Sequence, residues 1–122
     1  MQTLLEKDLV FRIVGCAFEV HRVIGHGFRE KTYENALRVE LRSHGMTVDQ
    51  QMSFPINCRS ERVDEFVPDL RVEGRVIVDT KTAERIIDEH RGTMLNDLRI
   101  SGLKVGLIIN FKHPELEWER LV

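Results

Sequence analysis

The chain has 122 residues, a formal net charge of −2, and 42% hydrophobic and 31% charged residues. That length supports one hydrophobic core but not two, so residues 1–122 read as one domain of ordinary globular composition. The charge excludes a molecule that binds nucleic acid by bulk electrostatics, so any such binding has to rest on a local basic patch or a bound metal.

The opening residues lack an apolar signal region and no apolar run approaches a membrane span, which points to a cytoplasmic protein with no membrane partner. Thr3-x-x-Glu6 has the form of a capping box. Leu5, Leu9, Ile13, Ala17 and Val20 then recur at helical spacing and predict a first helix to about Arg22. Cys16 in that helix and the distant Cys58 form no C-x-x-C pair and read as two buried, reduced thiols. Gly25-His26-Gly27 breaks the helix. A second runs from about Arg29, with Tyr33, Ala36, Leu37 and Leu41 on one face, and stops at Gly45. The period then changes to two. Val48, Met52, Phe54, Ile56 and Cys58 share one face of a first strand, and Asp49, Gln51, Ser53 and Asn57 the other. After a turn at Arg59-Ser60-Glu61, a second strand spans about Val63 to Val72. Glu73-Gly74 turns into a third, Arg75 to Lys81. A helix from Asp88 to Ile100 closes at Gly102. Lys104 to Phe111 reads as a strand buried on both faces, and Glu115 to Val122 as a last, alternating strand. The order α-α-β-β-β-α-β-β describes an α/β sandwich around a mixed sheet.

Pro68-Asp69 is followed ten residues later by Asp79-Thr80-Lys81 at the end of an apolar run. Two acids and a lysine at strand spacing suit metal-assisted phosphodiester cleavage: carboxylates hold a hard divalent cation, and the lysine orients or activates water and offsets charge on the phosphate. Asp79 and Lys81 lie two apart and share a strand face. Asp69 depends on the turn. A two-residue Glu73-Gly74 turn sets it opposite Val78, on the wrong face. A three-residue turn, or a bulge near Pro68, brings it alongside Asp79.

Gly27-Phe28-Arg29-Glu30-Lys31-Thr32-Tyr33 spells G-x-x-E-x-x-Y and runs into Glu34-Asn35-Ala36-Leu37. With Pro68-Asp69-Leu70, Asp79-Thr80-Lys81, His90, Leu95-Asn96 and the run Gly102 to Phe111, nearly the whole chain resembles the GxxExxY family of the PD-(D/E)XK nuclease superfamily. The resemblance implies a restriction-endonuclease-like α/β/α sandwich with a mixed central sheet, in which residues 1–24 are an added N-terminal helix. It implies Asp69 and Asp79 as ligands of Mg²⁺ or Mn²⁺, a backbone carbonyl near Thr80 as a further ligand, and Lys81 as the catalytic lysine. It also implies a carboxylate from the second helix as an outer or second-metal ligand. Glu30 is the first choice; Glu34, one turn on, replaces it if the helix is rotated.

Tyr33 lies one turn from Glu30 and either orients it or packs in the core. Gly27 serves the turn into the helix. His90 reads as a cap or surface residue, with phosphate contact at the cleft as its other role. Arg91 and Thr93 occupy the stretch where the family usually has His-x-x-Gln. Thr93 stands in place of that glutamine, Asp79 in place of the usual glutamate, and Asp97 where an aromatic is common. Gly92 weakens this helix by about 1 kcal/mol relative to alanine. Arg85, Arg91 and Arg99 are solvent-facing by default, with phosphate contact beside the cleft as their other role, and Tyr33, His90, Arg91 and Thr93 are the candidate substrate-binding residues. His21, His26, His44 and His113 have no metal-ligand spacing with one another and read as surface residues. Trp118 reads as core or dimer packing. The expected function is a metal-dependent nuclease, with DNA the favoured partner by superfamily analogy and a homodimer or partner protein adding footprint. The competing reading is an inactive nucleic-acid-binding or protein-interaction module on the same fold.

Overall fold

The computed structural model describes residues 5–122. Its elements are α1 (Lys7–Ile24), α2 (Glu30–Ser43), β1 (Val48–Gln50), β2 (Phe54–Cys58), β3 (Glu61–Phe66), β4 (Leu70–Val72), β5 (Val76–Lys81), α3 (Asp88–Ser101), β6 (Val105–Asn110) and β7 (Glu117–Leu121). The helical stripes bury Leu9, Val10, Ile13, Val14, Ala17 and Val20 on α1, and Tyr33, Leu37 and Leu41 on α2. Thr3, half of the expected capping box, lies outside the described residues. Leu5 precedes the helix and is exposed.

Two of the expected strands each divide. Gln51 adopts a left-handed φ of 57° and turns the chain out of the sheet after β1. Val67-Pro68-Asp69 separates β3 from β4, as a residue without a backbone N–H favours. The segments between these breaks pair with each other as a separate ribbon, β2 against β3. Arg59 and Ser60, both at positive φ, form its two-residue turn. Because this ribbon stands apart from the main sheet, Met52 and Cys58 are exposed, and only Cys16 is a buried thiol.

The main sheet runs β1-β4-β5-β6-β7, with β5 and β6 parallel and the other neighbours antiparallel. On one face, Leu70, Val72, Val76, Val78, Val105, Leu107 and Ile109 pack beneath α1 and α2. On the other, Ile77 and Ile108 meet Ile86, Met94 and Leu98, the last two from α3. The β6 strand is buried on both faces, as its unbroken apolar run predicts. Trp118 sits on the edge strand β7, 37% exposed, because β7 has a neighbour on one side only. His21 is buried rather than on the surface: its Nε2 lies 2.8 Å from the His113 carbonyl, in a pocket beside Phe111.

Two features set the position of the strand ends. The β4–β5 connection is a three-residue turn, Glu73-Gly74-Arg75, in which the Arg75 N–H donates to the Val72 carbonyl at 3.0 Å. Glu73 and Gly74 both take positive φ there, which glycine accepts at no steric cost. At the far end Asn110 staples the loop after β5, donating to the Ala83 carbonyl at 2.8 Å and accepting from the Ala83 N–H at 3.0 Å.

Gly106 on β6 lets α3 lie close to the sheet. A Cβ there would meet Met94 Sδ and stand 2.8 Å from its Cγ. Gly106→Ala is therefore expected to destabilise by about 1–3 kcal/mol through overpacking, read as a lower urea midpoint. An unchanged midpoint would show that Met94 has room to swing aside.

Candidate active site

The strand register decides the site. Leu70 pairs with Val78, Arg71 with Ile77 and Val72 with Val76, so one step further along Asp69 falls opposite Asp79. The three-residue turn is what sets this register. Losing one residue from it would move Asp69 opposite Val78 and onto the other face.

Asp69 is tied in place by β5 itself: its Oδ2 accepts from the Thr80 backbone N–H at 2.9 Å and from the Thr80 hydroxyl at 3.1 Å. Burial and the facing Asp79 carboxylate, helped by Glu34, push the Asp69 pKa up to about 7 despite the Thr80 N–H. Lys81 Nζ stands 2.9 Å from Asp79 Oδ2, both side chains about a quarter exposed. Burial works against the Lys81 charge. The adjoining Asp79, with Glu30 and Asp69 beyond it, outweighs burial and raises its pKa.

Helix α2 brings Glu34, one turn deeper than Glu30, against Asp69. Glu30 begins the helix and is exposed, within electrostatic reach of Lys81. Glu34 is buried and within hydrogen-bond reach of Asp69. Burial opposes its charge, but donors from Gln50 at 2.5 Å, Gln51 at 3.0 Å and Lys31 at 2.9 Å hold its carboxyl below the usual range. Gln50 and Gln51 left no signal in the sequence, because their role depends on where β1 ends beside α2. Helix α3 adds Asp97, half-buried. Burial and the charge of Asp79 raise its pKa to about 6, with Lys81 acting the other way. The sequence signal for Asp97 is its spacing from His90, at the edge of the buried Met94 and Leu98 stripe.

Other expected site residues fall elsewhere. Tyr33 is fully buried. Its ring stacks on Phe111 at 4.5 Å, and its hydroxyl donates to the Gly25 carbonyl at 2.7 Å and accepts from the Phe28 N–H at 3.3 Å. It shapes the turn into α2 and presents nothing to a cleft. Arg91 lies on the opposite edge of α3, where Nε donates to both Glu119 carboxylate oxygens at 2.9 Å and Nη1 to Asp88 at 2.7 Å. His90 Nδ1 accepts from the Ile87 N–H at 3.2 Å, a helix-capping contact, and Thr93 is exposed.

A carboxylate from a helix, an aspartate at the head of one strand, and D-x-K at the end of the antiparallel neighbour form the pattern from which PD-(D/E)XK enzymes are built. Residues 7–121 match the PD-(D/E)XK nuclease superfamily. The chain belongs to that superfamily. Comparison with curated proteins and with solved structures returns no match.

The oxygens gathered here suit a hard divalent cation. Five carboxylates (Glu30, Glu34, Asp69, Asp79 and Asp97) stand with two lysines, Lys31 and Lys81, and two of the five, Asp69 and Asp97, are driven toward their protonated forms by burial and by the Asp79 charge. A divalent ion offsets that repulsion as a proton does.

The sign of the resulting pH dependence is definite. Asp69 and Asp97 both titrate higher in the folded chain than the ordinary 3.8, so between about pH 4 and 7 the folded state holds more protons. In the absence of divalent cations, the contribution of these two acids to stability is greatest near pH 4 and falls as the pH rises to about 7. Melting in EDTA is expected to give a lower Tm at pH 7.5 than at pH 5, by roughly 4 °C for each kcal/mol lost. Mg²⁺ is expected to raise Tm more at pH 7.5 than at pH 5. A Tm that climbs from pH 5 to 7.5 in EDTA would contradict the packing of these acids.

Proposed function

We propose that this chain is a metal-dependent phosphodiesterase acting on nucleic acid, DNA before RNA, and a GxxExxY-type member of its superfamily. The observation that carries the reading is the juxtaposition of Asp69 and Asp79 across β4 and β5, with Lys81 Nζ 2.9 Å from Asp79.

Mg²⁺ or Mn²⁺ held by Asp69, Asp79 and the Thr80 carbonyl, with Glu34 and Glu30 as the helix acids, would lower the pKa of the attacking water and polarise the phosphoryl oxygens. Asp69 would give up its proton to serve as a ligand, and the Thr80 N–H and hydroxyl keep its carboxylate aimed. Lys81 orients the water and offsets charge developing on the phosphate. Its raised pKa suits it to hold positive charge rather than to act as a base. Gln50, Gln51 and Lys31 keep Glu34 ionised. So acidic a cleft admits a polyanion only with the cation in place. A chain of 122 residues has little surface for sequence recognition, so a second copy or a partner protein is expected to extend the footprint. No helix among the described residues is long and apolar enough to cross a membrane.

Calorimetric titration of Mg²⁺ and Mn²⁺ into wild type and Asp79→Ala, paired with cleavage of mixed DNA and RNA, tests this directly. Metal-dependent cleavage that disappears in Asp79→Ala supports the reading. Absence of specific metal binding in wild type would sink it and leave a binding module on a nuclease fold.

A further inference from the structure

We infer that Cys16, Glu40 and His44 form a second metal site, for Zn²⁺ or a similar borderline-soft divalent ion, separate from the oxygen-rich cleft. One ligand atom from each of the three lies within 4.8 Å of the other two. Among the described residues this is the one trio of His, Cys, Asp or Glu side chains so closely grouped. The site lines a surface cleft of about 440 Å³ between α1 and the end of α2, whose walls also include Phe11, Arg12, Glu19 and Met46.

The donor set decides the class of ion. Thiolate, imidazole and carboxylate are the ligands of zinc, and three protein ligands leave a fourth position for water. Bonds of ~2.0–2.3 Å in a tetrahedron space the donors about 3.3–3.8 Å apart, within reach of the arrangement present. Glu40 and His44 lie four apart, at the last turn of α2 and its cap, and so project from one side of the helix. His44 Nε2 and Glu40 Oε2 are 2.9 Å apart across a shared proton, which the ion would replace. Cys16 supplies the buried end, Glu40 is half-buried and His44 is exposed, so the site is open to solvent on one side.

A nucleophilic Cys–His–Glu triad is the other chemistry these residues suggest, and the surroundings disfavour it. Burial first, and then the Glu40 charge, raise the Cys16 pKa to about 11, against a smaller opposing effect of Arg12. A thiol so held is a poor nucleophile, whereas a metal ion deprotonates it outright. Binding would release the Cys16 proton to solvent and form a Cys16–metal bond. Arg12 donates to the His44 carbonyl at 3.2 Å and so braces the cap from α1. Glu19 is engaged by Arg22 on its own helix. The ion would pin α1 to the end of α2, some 15 Å along that helix from Glu34.

Co²⁺ is the probe, followed by absorption, with Zn²⁺ as competitor. Wild type is expected to show a thiolate-to-cobalt charge-transfer band that Zn²⁺ abolishes, with about one proton released per ion at neutral pH. The band should persist in Cys58→Ser, which removes the exposed thiol, and in Asp79→Ala, which disables the other cleft. It should vanish in Cys16→Ser. In His44→Ala, a change at an exposed helix end that leaves the core intact, affinity should fall more than about 100-fold, since even second-shell partners cost 10–100-fold. No charge-transfer band in wild type, a band surviving Cys16→Ser, a band lost in Cys58→Ser, or undiminished affinity in His44→Ala would each overturn the site. The proposed nuclease function stands or falls separately, because Asp79→Ala leaves this band in place.

Discussion

Lys81→Met is expected to keep divalent-metal binding while lowering phosphodiester cleavage by at least about 10²–10³-fold, the usual cost of removing one preorganised group that stabilises transition-state charge. Methionine keeps most of the unbranched apolar stem and removes the charge together with its hydrogen-bond donors. Lys81 pairs with Asp79 at 2.9 Å, so its loss releases Asp79 from an ion pair. Metal affinity should therefore stay level or rise. Asp79→Ala removes a ligand and should lose binding and cleavage together. The contrast between the two variants separates chemistry from ligation. Equal activity in Lys81→Met and wild type would mean that the lysine merely balances charge. Calorimetry with Mg²⁺ and single-turnover cleavage under matched conditions provide both readouts.

Tyr33→Ala is expected to be the most destabilising single change in α2, by about 3–5 kcal/mol, the range for truncating a large buried aromatic. Tyr33 is wholly buried, stacks on Phe111 at 4.5 Å and closes the Gly25–Phe28 turn through its hydroxyl. Set against a typical domain stability of about 5–15 kcal/mol, that loss is a large fraction of the whole. Tyr33→Phe isolates the hydroxyl. It should cost about 1 kcal/mol, because the part-buried Gly25 carbonyl would lose its partner. Urea denaturation checks both variants. If Tyr33→Phe kept full stability but cleavage fell sharply, the hydroxyl would be serving the site and not the turn.

The helices and the two-sided β6 strand were legible from periodicity because each buries a continuous stripe or run. The strands from 48 to 72 were not. Their alternation survives the breaks at Gln51 and Pro68, so period alone reads two strands where four exist. The resemblance put Glu30 first among the helix acids, with Glu34, one turn on, as its replacement. Depth along the helix is invisible to that pattern: Glu30 begins α2 and reaches solvent, while Glu34 meets Asp69.

By itself, the sequence determined that Asp79 and Lys81 share a strand face, since period two leaves no other arrangement. It also determined that a strand buried on both faces follows the third helix, and that G-x-x-E-x-x-Y heads the second. Tertiary structure alone decided whether Asp69 joins Asp79, through positive φ at Glu73 and Gly74 and the third turn residue they allow. It alone gathered Glu34, Gln50, Gln51 and Asp97 around the strands, and Cys16, Glu40 and His44 at the other end of α2. The physical reason is the same in each case. Local sequence sets which face a side chain takes, but contacts between distant segments depend on register and packing depth, which a one-residue change in a turn can shift.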